Sequence, residues 1–488
     1  MSFGPEGRPT AEYPFAAAPR SILEDRAVTI AHTTTDPDRL RGRMRGRVVT
    51  AGDADYDELR RVADGGTDRR PALIARVADA DDVATVVRFA AEHGVELAVR
   101  SGGHSGAGHG STEGGIVLDL RELDAIEIDE EARSAWVGTG ATAGAVTAAL
   151  AERGVAVGFG DTGSVGVGGI TTGGGIGYLV RKHGMTIDSI TAAQVVTADG
   201  TLHAVDAEHE PDLFWGIRGG GGNLGVVTRV RFATHPVPAI VGGIMILPAT
   251  PEAVAGFIAA ADGAPEELST IANVMPCPPM PFVSEELHGT LVNMALMCYA
   301  GASGEEADAA YAPFRALGRL ADMVKPGVLP DMYAGEEEGG EMPPMVVTMR
   351  TMFLDHVDLA TATSIVDAVA ASDSPMRAVQ LRVLGGAMAR VPADATAFAH
   401  RSAPIMAVVV ALIETPEARE RREAWVRGLV AALDQGVPGA YANFINDEGP
   451  DRVHDAYPPV TWERLSGLKA TYDPDNLFRR NQNVPPRA

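Results

Sequence analysis

The sequence predicts an α+β fold in two domains, on three observations. From Pro71 onward, short apolar runs alternate with helical periodicity. Glycines gather in three blocks between residues 101 and 225. Beyond about residue 236 those blocks stop, and long strands separated by helices take over. Each periodicity has a physical origin, since side chains on a strand alternate faces while those on a helix return every three to four residues.

Residues 1–50 are polar, with interspersed Pro, Gly and Arg, and predict a surface extension that becomes ordered near Arg47-Val-Val-Thr50. A strand follows over 71–77, then a helix over 80–93 with Asp79 or Asp81 as its cap. The next strand, 95–100, runs into Ser101-Gly-Gly-His-Ser-Gly-Ala-Gly-His-Gly110. Strands over 115–120 and 134–138 and a helix over 142–153 come next. A second glycine block fills 158–177, and a third fills Arg218-Gly-Gly-Gly-Gly-Asn-Leu-Gly225 before a strand over 226–232. In the second half, strands are predicted over 240–247, 291–299, 345–353, 379–384 and 405–413. Helices over 251–262, 305–317 and 416–433 separate them, the pattern of an antiparallel sheet with helices on one face. The acid- and glycine-rich run 335–341 predicts an exposed loop. The boundaries are thus an extension to 50, a glycine-rich domain over 51–236, a sheet-and-helix domain over 237–436, and a tail over 437–488.

Composition excludes several classes. The 488 residues carry 41 Lys+Arg against 65 Asp+Glu, a net charge of −24, which repels phosphate backbones and anionic membrane surfaces. Only Cys277 and Cys298 are present, so no disulfide framework is expected and a reducing compartment suits the chain. The longest apolar run, 404–413, is strand-sized and too short for a membrane span. The opening residues 1–9 have an early acid and no hydrophobic block, which predicts no secretory signal and a cytoplasmic protein.

Glycine is abundant, 56 residues against a usual share of about 7%, and its clustering marks sites. A turn without Cβ atoms lets backbone N–H groups approach an anion. Three such blocks fit a long bis-phosphate ligand better than a single phosphate. Gly220-Gly-Gly-Asn-Leu-Gly225 formally matches G-x-G-x-x-G, but a strand follows where a Rossmann turn needs a helix. Gly138-Thr-Gly-Ala-Thr-Ala-Gly144 lies between strand and helix, with its last spacing one residue too long. No P-loop motif occurs. His104 protrudes from the first block, where a cofactor-facing role competes with that of an ordinary structural histidine. A metal site at His104 and His109 has no third ligand at a strand or helix spacing, and none is expected.

Arg100-Ser-Gly-Gly-His-Ser-Gly-Ala-Gly-His-Gly110 resembles the flavin-attachment loop of berberine bridge enzyme-like oxidases, in the vanillyl-alcohol oxidase superfamily. The resemblance continues through Gly166-Val-Gly-Gly-Ile-Thr-Thr-Gly-Gly-Gly-Ile-Gly177, Arg181-Lys-His-Gly184 and Asp212-Leu-Phe-Trp-Gly-Ile-Arg-Gly-Gly-Gly-Gly-Asn-Leu-Gly225. It resumes at Tyr441-Ala-Asn-Phe444, Tyr472-Asp-Pro-Asp-Asn-Leu-Phe478 and Asn481-Gln-Asn483. It implies a PCMH-type FAD-binding domain of two α+β subdomains, a substrate domain built on the antiparallel sheet, and a C-terminal segment returning to the FAD domain. It also implies that backbone amides of Ser101, Gly102, Gly103, His104 and Ser105 hold the pyrophosphate, with the flavin 8α-methyl bonded to His104. The same matching assigns cofactor contacts to Arg100, His109, Gly110, Asp161, Thr162, Val165, Gly166, Gly168, Gly169, Gly175, Gly177, Gly222, Val227, Asn481 and Asn483. Many members carry a second, cysteinyl bond; here Thr162 stands at that position, so a single tether is expected. Val165 matches a position where compact residues accompany reoxidation by O2, although an ordinary packed valine reads equally well.

Oxidation of an alcohol by hydride loss also releases a proton, so a base is needed. Tyr441 matches the family tyrosine that faces the flavin, and Asn443 a flavin contact or a partner that orients Tyr441. A phenol has a reference pKa of about 10, so the site is expected to lower it. Alternation in Val379-Gln-Leu-Arg-Val383 puts Gln380 and Arg382 on one sheet face, which in the family looks across the substrate pocket; Arg382 reads equally as a paired structural charge. The expected activity is oxidation of a C–OH, C–N or activated C–H bond in a small natural product or carbohydrate, with O2 as acceptor. A dehydrogenase using another acceptor, a flavin binder without turnover, and a nicotinamide-dependent reductase are the alternatives; the last conflicts with His104. Substrate identity and oligomeric state do not follow from the residues.

Overall fold

Three sheets carry the architecture, in a computed structural model that describes residues 36–280, 283–333 and 345–487. The expectations for the opening residues and for the 335–341 loop lie outside the described residues. In the first sheet the strand order is Arg47–Val49, Leu73–Arg76, Ile116–Asp119, Leu97–Arg100. The last three run parallel and the first antiparallel. Parallel neighbours need a crossover, and helix Ala80–His93 supplies it, burying Val83, Val86, Val87 and Phe89. Asp79, and not Asp81, caps it by accepting from the Asp82 N–H. Among the described residues, structure is already present ahead of Arg47: helix Pro37–Arg41 is capped by Asp36 and buries Leu40.

The second sheet is antiparallel, in the order Ile126–Asp129, Ser134–Gly138, Val226–Ala233, Ile190–Val196, Leu202–Asp206. Glycines 138 and 140 are packing residues: a Cβ on either would strike the carbonyl of Leu123 or Leu120. Helix Ala143–Ala151 follows them, but the backbone they free is filled by protein.

The third sheet has eight strands, every pair antiparallel, with Lys325–Gly327 pairing Ile240–Pro248 off the main path. Its main path runs Ala321–Asp322, Ile240–Pro248, Leu291–Tyr299, Leu268–Pro276, Arg377–Val383, Ile405–Leu412, Val347–Leu354. Helices Pro251–Asp262, Leu359–Ala371 and Arg419–Leu433 share one apolar core with Val379, Leu381, Ala407 and Val409. Alternation then sends Ala378, Gln380, Arg382, Val408 and Val410 to the opposite face, where they line a cavity. The tail packs back on the glycine-rich half. Tyr441, Tyr457, Leu465 and Val484 join the core of Phe159 and Phe232. The ammonium of Lys469, fully buried, bonds the carbonyls of Asn223 and Phe478 and pairs with Asp473 at 2.7 Å.

Candidate active site

The cavity, about 2300 Å³, is bounded by the first and second glycine blocks, by the bare face of the third sheet and by the C-terminal tail. Its wall includes Arg100, Ser101, Gly102, Gly103, His104, Ser105, His109 and Gly110 from the first loop. From the second block come Asp161, Thr162, Val165, Gly166, Gly168 and Gly169. Gly222, Val227, Gln380, Arg382, Tyr441, Asn443 and Asn481 also line it. Gly175, Gly177 and Asn483, expected among them, are not on this wall. Gly175 sits behind it and donates its N–H to the Tyr441 hydroxyl at 2.7 Å. Gly177 packs against the carbonyls of Phe159 and Gly160.

Backbone proximity shapes the cradle. A Cβ on Gly166 would collide with Ser101 Oγ and the Gly102 nitrogen, and one on Gly102 with the Gly166 nitrogen, so the first two blocks interlock. Ser101 fastens the joint, donating to the Thr139 carbonyl at 2.6 Å and accepting from the Gly168 N–H at 3.3 Å. By contrast, a Cβ on Gly169 or Gly222 would meet nothing within 4 Å; these bare backbones face room a ligand can fill. The buried Oδ1 of Asn481 has no hydrogen-bond partner, so a ligand donor suits it. Arg61, Arg121 and Arg480 also stand on the wall and give this part of an acidic chain a positive field. Sequence reading missed them; the adjacency of Arg480 to Asn481 was the available signal. His109 is half-buried, and desolvation together with Arg480 and Arg69 pushes its pKa down to about 4, so its ring is neutral at pH 7.

On the opposite wall Arg382 is buried and pairs with Asp161 at 2.7 Å across the two halves of the fold. It also donates to the Ile176 carbonyl at 2.9 Å and to Gln380 Oε1 through two nitrogens, at 2.9 and 2.8 Å. Gln380 in turn donates to Asn273 Oδ1 at 3.0 Å. Asn273 and Tyr333, neither expected from the sequence, also line this side. Tyr441 is buried, and its oxygen accepts from Gly175 N–H and from Asn443 Nδ2 at 3.0 Å. The expectation of a lowered phenol pKa is not met. Burial raises it, and the two N–H donors and the Arg382 charge only partly oppose that rise.

Cys277 and Cys298 are buried away from the cavity wall as free thiols. Burial pushes Cys298 up to about 12, which makes it inert as a nucleophile. Among the described residues no helix is long and apolar enough to cross a membrane.

Residues 71–206 match the family described as FAD binding domain, and residues 440–485 the family described as berberine and berberine like. The chain is 31% identical over 458 residues to (R)-6-hydroxynicotine oxidase of Paenarthrobacter nicotinovorans, covering 91% of this chain and 97% of that one. It is 40% identical over 171 residues to xylooligosaccharide oxidase of Thermothelomyces thermophilus, 34% of each chain. The crystal structure of 6-hydroxy-D-nicotine oxidase from Arthrobacter nicotinovorans superposes with a TM-score of 0.81 at 27% identity, over 91% of this chain and 98% of that chain. The interlocked glycine blocks, the cavity they open onto and these similarities agree: the chain belongs to the berberine bridge enzyme-like FAD-linked oxidoreductases of the vanillyl-alcohol oxidase superfamily.

Proposed function

We propose that the chain is an oxidase carrying FAD on a single covalent bond, from the His104 ring to the flavin 8α-methyl. The observation that carries this reading is the shared wall: His104, Thr162 and Tyr441 line one cavity with the glycine cradle. Thr162, at the position of a cysteinyl link in many relatives, has a hydroxyl where a thiolate would be needed, so His104 is the sole tether. When bound, FAD supplies a two-electron acceptor for a C–OH, C–N or activated C–H bond and passes those electrons to O2. The backbone of residues 101–105 and of Gly166, Gly168 and Gly169 would hold its pyrophosphate, with Arg480 and Arg61 adding charge.

Tyr441 takes the substrate proton. Two N–H donors occupy its oxygen, so one position on that oxygen is left for a ligand. That position carries the hydrogen of the phenol and is bare in the phenolate, and it is the phenolate that accepts the substrate proton there and becomes the phenol. Those donors stabilise the phenolate once it forms. Asn443 positions the phenol and does not exchange the proton itself. Asp161 and Arg382 hold the sheet against the flavin side. Val165, half-buried on the wall, leaves room for O2. Stopped-flow mixing of reduced protein with air tests the acceptor. Rapid recovery of the oxidised flavin band is expected, whereas slow recovery with fast transfer to an artificial acceptor would make the chain a dehydrogenase.

A further inference from the structure

The bare face of the third sheet is graded in polarity. Resting on the oxidoreductase reading above, we propose that the substrate is a neutral, largely apolar molecule recognised through a hydrogen-bond-accepting oxygen. It is not an amine, a carboxylate or an oligosaccharide.

Strand register sets out the grading row by row. Met349, Val410 and Ala378 are cross-strand neighbours and form a wholly apolar outer row on the cavity wall. The next row brings together Val408, Gln380 and Asn273. Arg382 ends the gradient, nearest the second glycine block. Its guanidinium carries donors only, so the two bonds to Gln380 Oε1 fix which way that amide faces. Gln380 Nε2 is thereby turned to Asn273 Oδ1, and Asn273 Nδ2 donates to the Met294 carbonyl at 3.0 Å. One hydrogen on each amide nitrogen remains uncommitted among the described residues. The wall therefore offers N–H donors to a ligand, between apolar side chains.

At the sheet, the charge of Arg382 is spent on protein. Arg382 bonds Asp161, Gln380 and the Ile176 carbonyl, so a substrate carboxylate would have to displace an existing ion pair. Asp161, a carboxylate on the cavity wall, is held by Arg382 at 2.7 Å. Asp64, also on the wall, accepts from the Gly66 N–H and from Thr67 Oγ1 within its own turn. Glu58 belongs to helix Tyr56–Leu59, beside the first sheet. An ammonium would thus enter without an uncommitted partner on the sheet. A sugar ring against Val347, Met349, Val408 and Val410 would leave hydroxyls buried and unpaired.

The test is calorimetric titration of the holoprotein with five matched probes: 1-tetralone, tetralin, 1-aminotetralin, tetralin-1-carboxylate and xylobiose. Tetralone is expected to bind about five- to tenfold more tightly than tetralin, the effect of one hydrogen bond, and more tightly still than the other three. Gln380→Leu, which removes one of the two donors, should shrink the preference for ketone over hydrocarbon, and Gln380→Leu with Asn273→Leu should erase it. Gln380→Glu, which keeps the acceptor for Arg382 but removes the donor, should reverse the order of ketone and amine. Equal binding of tetralone and tetralin, tighter binding of the amine, acid or sugar, or binding of no probe would overturn the proposal. Failure of the oxidase reading shows separately, as protein without a flavin spectrum or with no reoxidation by air.

Discussion

Tyr441 is held by its neighbours in an unusual protonation balance. Burial favours the neutral phenol, while the Gly175 and Asn443 donors and the Arg382 charge favour the phenolate. The net shift is upward, so the ionised fraction is small at pH 7 and grows as pH rises. The rate of flavin reduction by substrate should therefore climb on the alkaline side. Tyr441→Phe should keep the bound flavin, slow reduction by about 100-fold or more, the usual scale of a general base, and flatten that alkaline limb. Anaerobic stopped-flow reduction across pH checks both; an unchanged rate removes Tyr441 from proton transfer. The tyrosine itself was legible from its motif. Its raised pKa was not, because burial needs Phe398 packing on the ring and Gly175 beneath it, contacts made by distant segments, besides the neighbouring Phe444.

Among the elements, the glycine loops were legible and several strands were not, Ile126–Asp129, Ile190–Val196, Leu202–Asp206 and Leu268–Pro276 among them. Glycine blocks announce close approach whatever their partners, and residues 101–110 and 158–177 indeed interlock. Strand Leu268–Pro276 escaped detection because it lies between Leu291–Tyr299 and Arg377–Val383, and its first seven residues are all buried. With both faces covered, no alternation remains to read. The open glycines offer a sharper test than the interlocked ones. Gly169 lies in helix Val167–Gly173 with empty space beyond its Cα, so Gly169→Ala should raise stability by about 0.5–1 kcal/mol. It should at the same time lower flavin occupancy, because the added methyl enters the cradle. Thermal melting of flavin-free protein and the ratio of visible to ultraviolet absorbance read the two effects separately. Lys469 governs the tail: Lys469→Met leaves Asp473 buried without its cation and should cost about 3–5 kcal/mol, measured by urea unfolding. Helix Pro459–Tyr472 carries the residue, but a lysine within a helix gave no sign in the sequence of being wholly buried.

At the scale of the whole molecule, a chain of net charge −24 assembles arginines from separated segments, Arg61, Arg121 and Arg480, along one cavity. Overall composition argues against polyanions, yet the local field suits a dinucleotide. That contrast depends on the fold, because a sum over the sequence conceals where charges meet. The same fold sets the flavin-side cradle opposite an apolar sheet, with the Asp161–Arg382 pair joining the two. On the proposed reading, His104 alone anchors FAD between these walls. The most direct measurement is intact mass with the visible spectrum before and after acid precipitation, for the natural protein and for His104→Ala. A mass increase of one FAD and yellow pellets are expected from the natural protein, with colour released to the supernatant from the variant. Flavin that stays with the His104→Ala pellet, or that leaves the natural protein on precipitation, would contradict it.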